Sequence, residues 1–242
     1  MNWTYRLTHW LWGGLDWLYP PVCGGCNRAG ARWCLDCQKK IVPLPDPICE
    51  ICGLPQRRSG VCFACKTSPP PYRALRSFAA FEGPARNVVH RLKYRRDLAL
   101  GDALAQPLAE FARGLSWPVD LVIPVPLGKK RLQERGYNQV SMMAMPLAAI
   151  NGWRYVPQAL SRRRETRSQV GLSMIERQKN MCDAFEADHH LVAGQAALLI
   201  DDVTTTGSTL MACAEALSMA GASVIYAITF ARALPHHSLK IV

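Results

Sequence analysis

Eight cysteines fall into four Cys-x-x-Cys pairs within 43 residues: Cys23/Cys26, Cys34/Cys37, Cys49/Cys52 and Cys62/Cys65. Two thiolates held on one tight turn present adjacent corners of a tetrahedron, so two pairs complete a four-sulfur zinc site. Four pairs therefore imply two sites. A redox Cys-x-x-Cys usually stands alone beside a βαβ pattern, and disulfides belong to oxidising compartments, so the repetition favours metal. Serial and interleaved pairings are both open; the seven- and nine-residue spacers of the serial arrangement suit ribbon-like loops and favour it. With every position on each ion filled by thiolate, the zinc is structural, with no place left for water. Cys182 and Cys213 stand apart and read as buried small hydrophobes.

The metal has a reason to be there. Residues 20–72 are rich in proline ("PLPDP", "TSPPPY") and hold few long apolar runs, so this segment needs metal binding for its folding energy. "TSPPPY" then reads as a linker, giving an N-terminal helix and double zinc-ribbon-like domain over residues 1–70 and a second domain over 71–242. The opening "MNWTYRLTHWLWGGLDWLYPP" has no short apolar core with a small-residue cleavage site, and Arg6, His9, Asp16 and a Gly pair interrupt it. It reads as neither signal peptide nor membrane span, and the expected location is cytoplasmic. Tyr5, Trp10, Trp12, Leu15 and Leu18 fit one apolar helix face, suited to packing on its own domain or to a membrane interface.

At 242 residues and 49% hydrophobic, the chain can bury one full core. Its net charge of +11 is uneven, with nine Lys/Arg against four Asp/Glu in residues 1–75, eleven against six in 76–140, and nine against eight in 141–242. That bias suits a polyanionic partner such as nucleic acid, a phosphate-rich ligand or a membrane surface. "ARNVVHRLKYRRD" concentrates Arg86, Arg91, Lys93, Arg95 and Arg96 around Tyr94, which could track a single-stranded backbone and stack a base, or form a solvated basic face.

From about residue 75 the pattern alternates. "ALRSFAAFEG" reads as a strand and "PARNVVHRLKYRRD" as a helix opened by Pro, with helix continuing through "ALGDALAQPLAEFARG" and an interruption near Pro107. "VDLVIPVP", "QAALLIDD" and "ASVIYAITFAR" read as buried strands, "GYNQVSMMAMPLAAI" as a helix and "GSTLMACAEALSMAG" as a helix closed by Gly221. Apolar strands separated by helices predict an α/β fold, a mainly parallel sheet covered on both faces, with ligands at the carboxyl ends of the strands. In "ALLIDDVTTTGSTL", Asp201 and Asp202 emerge at such an end and "VTTTGST" feeds the next helix. Loop amides at a helix N-terminus, hydroxyls, and a Gly that clears space make a cradle for a phosphate monoester, while two carboxylates beside it can hold hydroxyls or magnesium. The lysine of a Walker loop is missing.

"LLIDDVTTTGST" closely resembles the phosphoribosyl pyrophosphate motif of the type I phosphoribosyltransferases. With the N-terminal Cys-x-x-Cys pairs, "VIPVPLGKKRLQERGYNQ" and "RRRETRSQVGLSMIERQKNMCDAF" in that order, the chain resembles the ComF family of competence-related proteins, which includes GntX-like members. The resemblance implies a type I phosphoribosyltransferase fold behind the zinc-ribbon-like segment and a magnesium-dependent transfer of phosphoribosyl to an unidentified acceptor. It places Asp201 and Asp202 on the ribose hydroxyls, and Val203, Thr204, Thr205, Thr206, Gly207, Ser208 and Thr209 around the 5′-phosphate. It places the pyrophosphate at Pro124, Val125, Pro126 and Leu127, with Lys129, Lys130, Arg131 and Arg135 following as stabilising cations. Residues 162–180, with six Lys/Arg and two Glu, suit a lid over a charged ligand, with Arg164, Thr166, Gln169, Arg177 and Asn180 at the family's recurring positions. Single-stranded DNA and other competence proteins are the partners the resemblance implies. No aromatic or carboxamide pattern identifies the hood that would recognise a nitrogenous base. The alternative is a non-catalytic DNA-binding or scaffold protein whose site is regulatory.

Overall fold

The computed structural model describes residues 20–163 and 184–234. The proposed N-terminal amphipathic helix, Cys182 and the lid positions Arg164, Thr166, Gln169, Arg177 and Asn180 lie outside the described residues.

Strands β1 (Ala74–Ala80), β2 (Leu121–Pro124), β3 (Arg154–Tyr155), β6 (Ala196–Thr204) and β7 (Val224–Arg232) form one parallel sheet in the order β1-β7-β6-β2-β3. A two-stranded antiparallel ribbon, β4 (Leu160–Arg162) with β5 (Phe185–Ala187), stands apart from it. Parallel neighbours need crossovers, and the long helices supply them. Helices α3 (Gly83–Tyr94) and α4 (Leu98–Gly114) lead from β1 to β2, α6 (Gln139–Asn151) lies between β2 and β3, and α8 (Ser208–Met219) joins β6 to β7.

Strand alternation divides the core in two. Leu198 and Ile200 of β6 pack in one apolar layer with α3, α4 and α6, while Ala197 and Leu199 pack in the other with α8. A strand covered on both faces has no polar face to show, which is why "ALLI" reads as an unbroken apolar run. Burying each such leucine contributes about 1.5–3 kcal/mol.

The interruption near Pro107 is not found. Helix α4 runs unbroken through Pro107. The ring and its missing N–H cost about 3 kcal/mol. Leu100, Leu104 and Leu108, all fully buried and spaced four apart on one face, offset that cost through packing. The basic stretch after β2 is helical, α5 (Lys129–Arg135), and ends at Gly136 in the left-handed conformation with φ 80°.

The cysteine-rich segment consists of two similar units. In each, a knuckle closed by an antiparallel bridge (Val22 with Ala29, Ile48 with Pro55) carries one Cys-x-x-Cys pair. A short helix, α1 (Leu35–Lys39) or α2 (Phe63–Thr67), begins just after the first cysteine of the other pair. The segment is docked on the sheet. Cys23, Trp33 and Cys37 join the apolar layer beneath α3 and α4, with Trp33 edge-on to Phe230 at 5.4 Å. The second knuckle covers the outer edge of β1, where Leu75 donates its N–H to Ile51 at 2.7 Å. Gly53 permits that approach: its φ is 66°, and a Cβ there would lie 2.4 Å from the Leu75 carbonyl oxygen.

Candidate functional site

The eight paired cysteines form two tetrads in series, Cys23/Cys26/Cys34/Cys37 and Cys49/Cys52/Cys62/Cys65, with the sulfur atoms of each within 4.8 Å of one another. Tetrahedral zinc with bonds of about 2.3 Å requires sulfur–sulfur edges of roughly 3.8 Å. Cys23–Cys37 is 3.6 Å, and Cys26–Cys34 and Cys52–Cys62 are each 3.8 Å, so the tetrads fit the ion. Backbone amides prepare one thiolate in each tetrad, while burial raises Cys37, Cys52 and Cys65. Burial opposes ionisation of Cys23, but N–H groups of Cys34, Cys26 and Gly25 outweigh it and bring its pKa to about 6. Cys49 is likewise lowered to about 6, with burial opposed by the amides of Cys62, Cys52 and Ile51.

The segment from Asp201 to Thr209 stands at the carboxyl edge of the sheet, though β6 continues further than its apolar run suggests. Asp201, Asp202, Val203 and Thr204 are still strand residues, held by pairing with β7 as far as Thr204 opposite Arg232. The loop proper is Thr205 to Gly207. Gly207, at φ 82°, turns the chain into α8; it has no side chain to cap the helix, and the Ser208 amide reaches only the Thr206 hydroxyl, at 3.4 Å. Asp201 and residues 203–210 line a cavity of about 70 Å³. Thr204 is one of its lining residues, and its hydroxyl is buried with no hydrogen-bond partner among the described residues. Thr206 and Ser208 hydroxyls lie 2.7 Å apart at the outer side of the turn.

The adjacent acids have different surroundings. Asp202, 4% exposed, is held by Lys93 Nζ at 2.8 Å on Oδ1 and by Gln139 Nε2 donating at 2.6 Å to Oδ2, from α3 and α6. Asp201 is only half-buried and belongs to the phosphate-loop cavity. Burial, reinforced by the charge of Asp202, raises its pKa to about 7; Lys93 and the Asp202 amide, which donates to Asp201 Oδ1 at 2.8 Å, oppose the rise.

Pairing of Pro124 with Ile200 sets Val125, Pro126 and Leu127 beside the acids. Asn138 ties this loop down through Nδ2 to the Val125 carbonyl at 3.0 Å while its own Oδ1 caps α6 at the Val140 amide. Lys129 and Arg135 sit at the two ends of α5. Arg135 lies over the Tyr94 ring at 5.3 Å and donates to Gln139 Oε1 at 2.7 Å, so Gln139 links α5 to Asp202. The sequence reading gave Lys93 a place on a basic face and left Gln139 without a role. Lys93 sits among cations that mask it, while Gln139 follows "GYN", where a buried carboxamide was the only local signal.

Residues 14–66 match the double zinc ribbon domain. The chain is 34% identical over 220 residues to the DNA utilization protein YhgH of Escherichia coli O6:H1, covering 88% of this chain and 91% of that protein. It is 29% identical over 222 residues to competence protein F of Haemophilus influenzae, covering 87% and 94%. Among solved structures it is similar to adenine phosphoribosyltransferase from Thermoanaerobacter pseudethanolicus, at 19% identity and a TM-score of 0.40, over 60% of this chain and 86% of that one. Paired cysteines, a double zinc ribbon match and full-length likeness to these proteins carry one conclusion: the chain belongs to the ComF family.

Proposed function

We propose that the carboxyl edge of the sheet binds phosphoribosyl pyrophosphate and transfers its phosphoribosyl group to an acceptor. The observation that carries this reading is the buried Thr204 hydroxyl, without a hydrogen-bond partner among the described residues, on a residue that lines the small cavity at the start of α8. An orphaned donor of this kind costs free energy until a ligand oxygen meets it, and a 5′-phosphate supplies three. The ribose hydroxyls then face Asp201 and Asp202, and the pyrophosphate faces Pro124 to Leu127 with Lys129 and Arg135 close by. In the transfer, an acceptor nucleophile forms a bond to the anomeric carbon as the bond from that carbon to the pyrophosphate oxygen breaks. The bonding pair leaves on pyrophosphate, and the acceptor loses its proton.

Magnesium, carried in on the pyrophosphate, would neutralise the leaving charge, and the Asp201 carboxylate is a hard oxygen donor suited to it. Lys93 and Gln139 hold Asp202 in one rotamer, so its orientation is set before substrate arrives. The relatives' names tie them to DNA utilization and competence, and the basic surplus of this chain suits the same role, with single-stranded DNA and other competence proteins as partners. Eight paired cysteines held as free thiols also suit the reducing cytoplasm.

Calorimetric titration of magnesium phosphoribosyl pyrophosphate into the zinc-loaded protein tests the site. Binding is expected in the wild type and lost in the Asp201→Asn, Asp202→Asn double variant; no binding by the wild type rejects the reading. Pyrophosphate release during an acceptor screen then separates transfer from binding alone.

A further inference from the structure

Between the end of α3 and α5 lies a cavity of about 520 Å³ lined by Lys93, Tyr94, Arg96, Arg131, Glu134 and Arg135. Cations at a helix C-terminus are ordinary, because that end carries partial negative charge. This accounts for Lys93 and Arg96 after α3 and for Arg135 at the end of α5, but not for Arg131, which lies in the first turn of α5, where a cation is disfavoured. Among the described residues, neither Arg96 nor Arg131 has a carboxylate within ion-pair distance. Arg96 also holds a left-handed backbone, φ 53°, where glycine would be relaxed, so a guanidinium is kept at this position against conformational preference.

The aromatic member is equally exposed. Tyr94 is 68% accessible, with the Arg135 guanidinium over its ring. A bare phosphate would leave that ring unused, and a free nucleobase would leave the arginines unmet. A base carrying a phosphate meets both, with the base on the aromatic and guanidinium surfaces and the phosphate on Arg96 and Arg131. Lys93 lines this cavity and pairs with Asp202, so the cavity adjoins the acid pair, whereas the phosphate-loop cavity contains Asp201 and not Asp202.

We propose that this cavity binds a nucleotide unit, supplied either as a free nucleotide or within single-stranded nucleic acid. That this nucleotide is the acceptor rests on the phosphoribosyl reading; that it binds does not.

The test uses the full-length, zinc-loaded protein with three probes: dAMP, a fluorescent single-stranded oligonucleotide, and magnesium phosphoribosyl pyrophosphate. Arg96→Gly removes the cation while suiting the left-handed backbone, and Tyr94→Ala removes an exposed ring, so both variants keep the core. Each is expected to weaken nucleotide or oligonucleotide binding about tenfold or more while leaving phosphoribosyl pyrophosphate binding unchanged. Pocket-dependent binding of dAMP identifies free nucleotide as the source, and pocket-dependent binding of the oligonucleotide alone identifies nucleic acid. Wild-type protein that binds neither probe, or variants that bind as tightly as wild type, would overturn the proposal. An equal loss of phosphoribosyl pyrophosphate in Arg96→Gly would overturn it too, by making the cavity the pyrophosphate end of the first site. Because the nucleotide probes are read separately, failure of phosphoribosyl pyrophosphate to bind the wild type removes the transferase reading without touching this one.

Discussion

The two cysteine tetrads have the same motif, the same serial pairing and the same knuckle-plus-helix build, yet they are joined to the sheet by different physics. The first is attached mainly through apolar packing: Cys23, Cys37 and Trp33 are part of the layer beneath α3 and α4, and Asn87 and Arg91 of α3 add bonds to the Gly25 carbonyl at 2.8 Å and to Asn27 Oδ1 at 3.2 Å. The second is attached mainly through polar contacts from the sheet. Arg76 of β1 donates to the Glu50 carbonyl at 2.9 Å, and Arg232 of β7 donates to the Cys52 carbonyl. Both guanidiniums are made less basic by burial, which the negative thiolates of the second tetrad oppose. A four-thiolate zinc centre keeps two surplus negative charges, and the half-buried Arg76 and the buried Arg232 answer them. Arg232 also pairs across the sheet with Thr204, and Tyr72, buried near the same thiolates, has its hydroxyl 3.7 Å from where a Gly207 Cβ would lie. One tetrad therefore completes the core, and the other stands behind the turn from β6 into α8, where we propose the phosphate binds.

The largest effect should come from the first tetrad. Cys23→Ser breaks zinc binding and leaves a polar group in the apolar layer, a loss of at least about 5 kcal/mol given the size of structural zinc binding. At roughly 2–4 °C per kcal/mol, thermal denaturation should show a fall of about 10–20 °C, with zinc content down by one ion per chain. Cys62→Ser, in the second tetrad, should also lose one zinc but lower the melting temperature less, while weakening phosphoribosyl pyrophosphate binding about tenfold or more. Equal melting temperatures with unaltered ligand binding would erase the distinction between the tetrads. Arg232→Met comes next: it keeps the volume, removes the charge and its bond to Cys52, and should weaken ligand binding severalfold with both zinc ions retained by mass.

Asp201 gives a pH-dependent version of the contrast, on the loop that the second tetrad supports. Its pKa is raised to about 7 from 3.8 by burial and by Asp202, so between those values the folded state holds a proton that the unfolded state has released. Its stabilising contribution is present in full below pH 4 and is lost as pH rises through about 7. Denaturation of wild type and Asp201→Asn across this window should show the variant gaining relative stability as pH rises. A constant difference between them would mean that Asp201 titrates normally.

Much of this arrangement was legible because it rests on local rules. Four Cys-x-x-Cys pairs imply two tetrads, and their short spacers favoured the serial pairing that the structure shows, while the apolar run "ALLI" can be buried on both faces only between covering helices. The continuity of α4 through Pro107 was not legible, since it depends on a leucine stripe finding the sheet. The extent of β6 was hidden for a related reason: Asp201 and Asp202 read as the end of a strand, yet pairing with β7 carries polar residues on to Thr204. Lys93 and Gln139 on Asp202 are tertiary contacts 109 and 63 residues away in sequence, reached only when α3 and α6 cross the same face. The non-equivalence of the tetrads has the same origin, because Arg76 and Arg232 meet the second one only after β1 and β7 have paired around it.

The smallest expected effect tests whether charge or burial makes the difference. Arg28 and Asp36 form an ion pair at 2.7 Å across the first tetrad, shorter than the Arg76 contact to Glu50. Both partners are mostly exposed, at 71% and 61%, so water and salt screen the attraction and two flexible side chains are ordered to make it. Arg28→Ala should therefore change stability by no more than about 0.5 kcal/mol, seen as superimposable urea denaturation curves. Arg76→Met, losing a half-buried guanidinium bonded to backbone carbonyls, should cost about 1–3 kcal/mol. If Arg28→Ala proved the more damaging of the two, the first tetrad would be attached through its surface charges, and the apolar layer under α3 and α4 would lose its claim to hold it.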